Sequence, residues 1–147
     1  MSPTSPPFSA EDIARLRLEG IRLFGGDSGA KASEDTCVES ALGAALNAAF
    51  LLSEDGRIDP LHLAAYLLYY IARNNCYLDG NKRAGWLAAT DYLLGHGLRV
   101  IATQVEVYEL VTGIADGLRS REQVLAWLST GGRLGPAPRQ LPLKNSN

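Results

Sequence analysis

The sequence predicts an all-α fold, a compact bundle of about six helices with room for one small β-hairpin. Three observations predict it. Apolar residues recur at three- and four-residue spacing through consecutive segments. Glycine, proline and short polar residues punctuate those segments. Helix-start signals, Asp59-Pro60 and Ser120 with Gln123, stand directly before apolar runs. The length, 147 residues, suits one domain. With 46% hydrophobic and 20% charged residues, the chain has a globular rather than a disordered balance.

Each element follows in order. Residues 1–8 carry Pro3, Pro6 and Pro7 and form a flexible lead-in to a domain over 9–130. Ser9 caps a first helix through Ile13, Leu16, Ile21 and Leu23, which Gly25, Gly26 and Gly29 stop. Val38, Ala41, Leu42, Ala45, Leu46 and Ala49 give a second helix over about 34–52. Asp55-Gly56 marks a turn. Residues 61–73 are apolar on nearly every face, as a helix at a domain centre is. A polar connection leads to a fourth helix over about 81–94, ended by Gly95-His96-Gly97. Leu98 to Ala102 reads as a short extended piece. A fifth helix runs from Val105 to Gly117, and Ser120 opens a sixth through Trp127 and Leu128. Residues 131–147 are Gly/Pro-rich and polar and read as a flexible tail.

Composition also narrows function. A net charge of -2 and a pI of about 5.6 argue against a nucleic-acid-binding protein. No apolar run reaches membrane-spanning length, and residues 1–7 lack a basic start followed by an apolar stretch, so neither a membrane protein nor a secreted one is expected. Cys37 and Cys76 form no CxxC pair, which fits a reducing cytoplasm.

The chemistry concentrates in Asn75-Cys76-Tyr77-Leu78-Asp79-Gly80-Asn81-Lys82-Arg83. Asp79, Asn81, Lys82 and Arg83 crowd the expected start of the fourth helix. Amide N–H groups and the positive dipole end make such a place suited to an anion. Lys82 and Arg83 oppose that dipole, a cost that a phosphate between them would offset. Asp79 could hold a divalent cation bridging phosphate oxygens. The plainer alternative makes Asp79 an N-cap, Gly80 a turn residue, and the two bases a solvated face.

This run resembles the core motif of the Fic/Doc superfamily, H-x-F-x-D-G/A-N-K-R in its Doc (death-on-curing) branch. Asp79 to Arg83 match, and Tyr77 takes the Phe position. Flanking stretches agree. Gly25-Gly26 and Gly29 followed by Glu39-Ser40-Ala41-Leu42 resemble the family's GG-x-x-G … ESAL. Gly97-Leu98-Arg99-Val100 is similar to its G-Y-R-L, and Val124 to Leu128 to its LAxWL finish. The resemblance spans about residues 9–129. It implies a helical bundle with a β-hairpin flap that pairs with a target segment, here within 47–59 and centred on Ser53, Glu54, Asp55, Gly56 and Arg57. It implies transfer from a nucleoside triphosphate, ATP or another, with Mg2+, to a protein hydroxyl. In the Doc branch the terminal phosphate moves, the target is the translation elongation factor EF-Tu, and the protein is a toxin paired with an antitoxin.

Residue by residue, the resemblance makes Asp79 the metal-binding acid. Gly80, Asn81, Lys82 and Arg83 become phosphate-binding, with Asp79, Lys82 and Arg83 catalytic. Lys82 replaces a glycine of the AMP-transferring branch, and Trp86 stands where that branch has a second Arg; both departures favour Doc. One departure bears on activity: the general-base His is Asn75 here. An amide cannot take a hydroxyl proton at neutral pH. The chain is then either an inactivated enzyme or a non-catalytic member that binds nucleotide or a partner, with an AMP-transferring enzyme as a further alternative. Neither His62, expected on the surface, nor His96, expected as a helix C-terminal cation, replaces the base.

Other patterns are weaker. Gly25 to Lys31 fails the P-loop template, since Ala30 and Ala32 stand at the Gly and Ser/Thr positions. Tyr66, Tyr69 and Tyr70 could stack bases, but their spacing within an apolar run suits a core. Cys76 lacks an activating neighbour and reads as a spacer.

Overall fold

A computed structural model describes residues 34–74 and 80–138. The helix expected after Ser9, with its glycine stop, lies outside the described residues, as do Asn75 and Asp79. The described residues hold five helices: α1 (Glu34–Leu51), α2 (Pro60–Asn74), α3 (Asn81–Gly95), α4 (Gln104–Ala115) and α5 (Arg121–Ser129). Two short strands, β1 (Leu98–Val100) and β2 (Leu134–Pro136), complete the described residues. The fold is all-α with one small antiparallel sheet.

Helix α2 is the centre. Asp59 Oδ1 accepts the Leu61 N–H at 2.9 Å, and Pro60 takes the first helical position, where its missing N–H costs nothing. Leu63 through Leu68, Ile71 and Ala72 are all buried, so the helix has no solvent face along most of its length. It packs against α1, α3, α4 and α5. Leu67 and Leu68 are fully enclosed, each contributing about 1.5–3 kcal/mol of apolar burial.

Helix α3 runs back along α2. It turns small residues toward that helix, with Ala84, Gly85, Ala88 and Ala89 buried. A β-carbon on Gly85 would stand 3.0 Å from the Leu68 carbonyl oxygen, so glycine permits backbone-to-backbone approach. At the far end, burial and then the nearby Asp59 charge raise the Tyr92 hydroxyl above its ordinary pKa. The end of α3 therefore meets the start of α2. His96 caps α3 there, exposed, its ring 4.6 Å from that of Tyr92.

The sequence starts the fifth helix at Val105, and the structure starts it at Gln104. Thr103 caps it through a full capping box with Glu106, a T-x-x-E signal in the sequence. Ser120 and Gln123 form the box expected before α5.

Composition places the end of the ordered chain at 130, yet β2 lies beyond it. Gly131 and Gly132, both at positive φ, turn the chain back. Leu98, Arg99 and Val100 then pair with Pro136, Gly135 and Leu134 in antiparallel register. Leu134 packs on the core, and Pro136 is tolerated because this ribbon is all edge. No described helix is long and apolar enough to cross a membrane.

Candidate functional site

The start of α3 carries the motif. Gly80 is its N-cap, at φ 86, and its carbonyl accepts the Ala84 N–H at 2.9 Å. The left-handed backbone there favours glycine. The alternative with Asp79 as N-cap places the helix start one residue early. The first turn holds Asn81, Lys82 and Arg83 and no acid. Asn81 is the buried polar side chain among the described residues, 7% exposed. Lys82 is exposed and Arg83 half-buried. Close packing at Gly85 fixes the depth of α3 on α2, and so fixes where these two cations stand.

A cavity of about 320 Å³ opens from that helix start. Gly80, Lys82 and Arg83 form one end. Its walls are apolar: Trp86 and Leu87 from α3, Val107, Tyr108 and Val111 from α4. Tyr108 stands on the rim, 65% exposed. A slot with cations at one end and aromatic and aliphatic walls suits a ligand that is anionic at one end and flat and apolar at the other.

Sequence reasoning does not reach the α4 wall. A signal for it exists. Leu110, Val111 and Ile114 already give α4 a buried face, while Val105 and Tyr108 add apolar surface beyond it. Trp86, an apolar helix residue by sequence, is half-buried with one side on the cavity.

The residues expected to form a flap make a tight turn ahead of α2. Glu54 and Arg57 form one antiparallel bridge, with Asp55 and Gly56 both at positive φ in a tight two-residue turn. Ser53 donates its hydroxyl to the Phe50 carbonyl at 2.6 Å. This turn precedes α2, whereas α3 begins after α2 ends, so a helix of 15 residues separates them, roughly 22 Å along its axis. The structure does not bring Ser53–Arg57 to Lys82 and Arg83. Instead the turn lines an open depression of about 440 Å³ with Asp59 and His62. His62, expected on the surface, is half-buried, with Nδ1 enclosed and without a hydrogen-bond partner among the described residues.

The tyrosines are structural. Tyr66 is buried, and burial raises its pKa. Tyr70 Oη accepts from Arg121 Nη1 at 2.8 Å, tying α5 to α2, and Tyr69 meets Tyr70 edge-on. Among the described residues no group of three His, Cys, Asp or Glu could hold a metal. The donor set proposed for Mg2+ is a single carboxylate plus substrate phosphates, a mode Mg2+ uses because it keeps most of its waters.

Fold and site together define the class: a helical domain presenting a basic, glycine-led helix start at the end of an apolar slot. The sequence model of the Fic/DOC family matches residues 7–93, more than half of the chain and all of the 75–85 run. The chain belongs to the Fic/DOC family, and its general class is that of the Fido-type transferases. No curated protein matches it.

Proposed function

We propose that the chain is a Doc-like scaffold for moving the terminal phosphate of a nucleoside triphosphate to a protein hydroxyl, with Asn75 holding it in a weakened or silent form. The observation that carries this reading is the pair Lys82 and Arg83 at the Gly80-capped start of α3, facing the end of the apolar slot. The phosphates would lie on that helix start and the nucleoside in the slot. Lys82 supports Doc chemistry, because an added side chain there crowds the place where an AMP-transferring member keeps glycine. Asp79 would hold Mg2+, which neutralises phosphate charge when bound. The target hydroxyl oxygen attacks the terminal phosphorus, the bond to the bridging oxygen breaks, and the nucleoside diphosphate leaves. The hydroxyl proton needs a base. Asn75 can hold the hydroxyl by hydrogen bonding but cannot take that proton. Losing a general base costs about 10²–10⁴-fold in rate. The elongation factor EF-Tu is the proposed target, and a toxin paired with an antitoxin the proposed setting, in the cytoplasm.

Asn75 also favours a second reading, a Fic-fold protein that binds nucleotide or a partner without turnover. Intact-protein mass spectrometry separates the two. The elongation factor is incubated with ATP, Mg2+ and either this chain or its Asn75→His form. One added phosphate only with Asn75→His supports the Doc reading. One added nucleotide moves the chain to the AMP-transferring branch. No addition with either form, while ATP still binds, favours the binding protein.

A further inference from the structure

Arg133 lies beyond the region matched by the family and outside the motif, yet it is joined to both walls of the slot. Its guanidinium carbon stands 3.8 Å from the centroid of the Trp127 ring. Trp127 meets Trp86 edge-on, with centroids 6.3 Å apart and planes at 81°. Trp86 is the aromatic wall contributed by α3. On its other side, Arg133 Nη1 lies 3.3 Å from Glu106 Oε1, and Nη2 3.5 Å from Glu106 Oε2. Glu106 directly precedes Val107, a wall residue of α4, and its Oε1 also accepts the Thr103 N–H at 2.9 Å.

The cation is held in place from behind. The Arg133 carbonyl accepts the Ile101 N–H at 2.6 Å, and Leu134 pairs with Val100. Its side chain is only 21% exposed. A guanidinium that lays its face over an indole and turns its N–H edge to a carboxylate couples the two groups, because face and edge belong to one rigid planar group. The phosphate end has separate support: Gly85 seats α3 against Leu68 and Ala72 of α2.

We infer that Arg133 is a positioning residue that sets the gap between the α3 and α4 walls, and with it the affinity for the nucleoside portion of the triphosphate. This rests on reading the slot as the nucleoside site. Removing the cation leaves Trp127 unclamped, Trp86 without its backing, and the first turn of α4 without its tie to the residue ahead of β2. The effect must therefore fall on the nucleoside and spare the phosphates.

Calorimetry with the full chain and Mg2+ tests it, using ATP and inorganic tripolyphosphate as the two probes. Wild type binds ATP more tightly than tripolyphosphate. Arg133→Met weakens ATP binding about tenfold, the scale of one desolvated cation–π contact plus an ion pair, and changes tripolyphosphate by less than about twofold. Arg133→Lys restores some of the ATP affinity. Undiminished ATP binding by a folded Arg133→Met overturns the inference and leaves the slot reading standing. Equal losses for both probes also overturn it, since a general structural role produces them. Equal wild-type affinity for the two probes overturns the slot reading and this inference with it. Should Arg133→Met fail to fold, Glu106→Gln carries the test: glutamine keeps the capping box but not the charge. A selective ATP loss of about threefold supports the inference, and none overturns it.

Discussion

A β-carbon added at Gly85 would stand 3.0 Å from the Leu68 carbonyl oxygen and 3.2 Å from the Ala72 amide nitrogen. Both are backbone atoms of α2, which cannot rotate aside as a side chain tip can. Gly85→Ala gains helix propensity of up to about 1 kcal/mol. It must also push α3 away from α2, an overpacking cost of about 1–3 kcal/mol, so a net loss near 1 kcal/mol is expected. Gly43, within α1, is the control: no atom of the described residues lies within 4 Å of its added β-carbon. Gly43→Ala should stabilise by about 0.5–1 kcal/mol. Urea unfolding of the two variants reads the opposite signs, and a stabilised Gly85→Ala would show that the α2–α3 contact yields in solution. The same residues explain what the sequence could tell. Gly80 to Arg83 were legible because a helix start is local: cap, dipole and charge all lie within one turn. Tyr108 and Trp86 were not, because a cavity wall is defined by a partner helix that spacing alone cannot name.

Among the elements, α4 and α5 begin with the same device and should answer acid differently. Each has a hydroxyl N-cap and a third-position side chain reaching back to the cap's N–H. In α5 that side chain is the neutral Gln123. In α4 it is Glu106, whose carboxyl is held below its usual pKa by the Thr103 N–H first and by Arg133 next. A lowered carboxyl pKa means that the folded chain binds fewer protons than the unfolded chain at mildly acid pH. The contribution of Glu106 is therefore present above the unfolded-chain value and is lost as pH falls through the folded one. Melting temperatures followed from about pH 6 down to about pH 3 should fall less steeply in Glu106→Gln than in wild type. Some slope remains in the variant, because the carboxyl of Glu122 is also held low, by its own backbone N–H and then by Arg121. Identical slopes would show that the α4 cap does not hold Glu106 in solution. The helices themselves were largely legible, since their apolar spacing and caps are written within each segment. The strand β2 was not. Its glycines and prolines are what a tail also has, and only the pairing with β1, contributed by a distant stretch of the chain, gives them an extended structure.

At the scale of the whole molecule, the central helix α2 divides the described chain into two ends. The Gly80–Arg83 helix start stands at one end, and the Glu54–Arg57 turn with His62 at the other. The all-α class and the central helix were legible because a segment apolar on every face has nowhere else to go. The separation of turn and motif was not, since it depends on the antiparallel run of α2 and α3. The β1–β2 ribbon fastens the chain beyond α5 to the segment between α3 and α4. Ending the chain at Gly132 removes this fastening as a unit. Ile101 loses the Arg133 carbonyl, Gly97 loses the Ala137 N–H, and Arg99 Nε loses the Pro136 carbonyl. Water replaces those bonds at an exposed edge, so they contribute little. The loss comes from the half-buried Leu134 and from the Arg133 contact with Trp127, together about 2 kcal/mol or more. Arg133→Met forfeits the arginine's contacts with Trp127 and Glu106 but keeps Leu134 and the ribbon. Urea midpoints should therefore fall in the order wild type, Arg133→Met, then the chain ending at Gly132. Coincident midpoints for the last two would mean that β2 adds nothing beyond what Arg133, just ahead of it, contributes. A clear step between them makes the strand a structural element in its own right, one that holds Arg133 where both walls of the slot can use it.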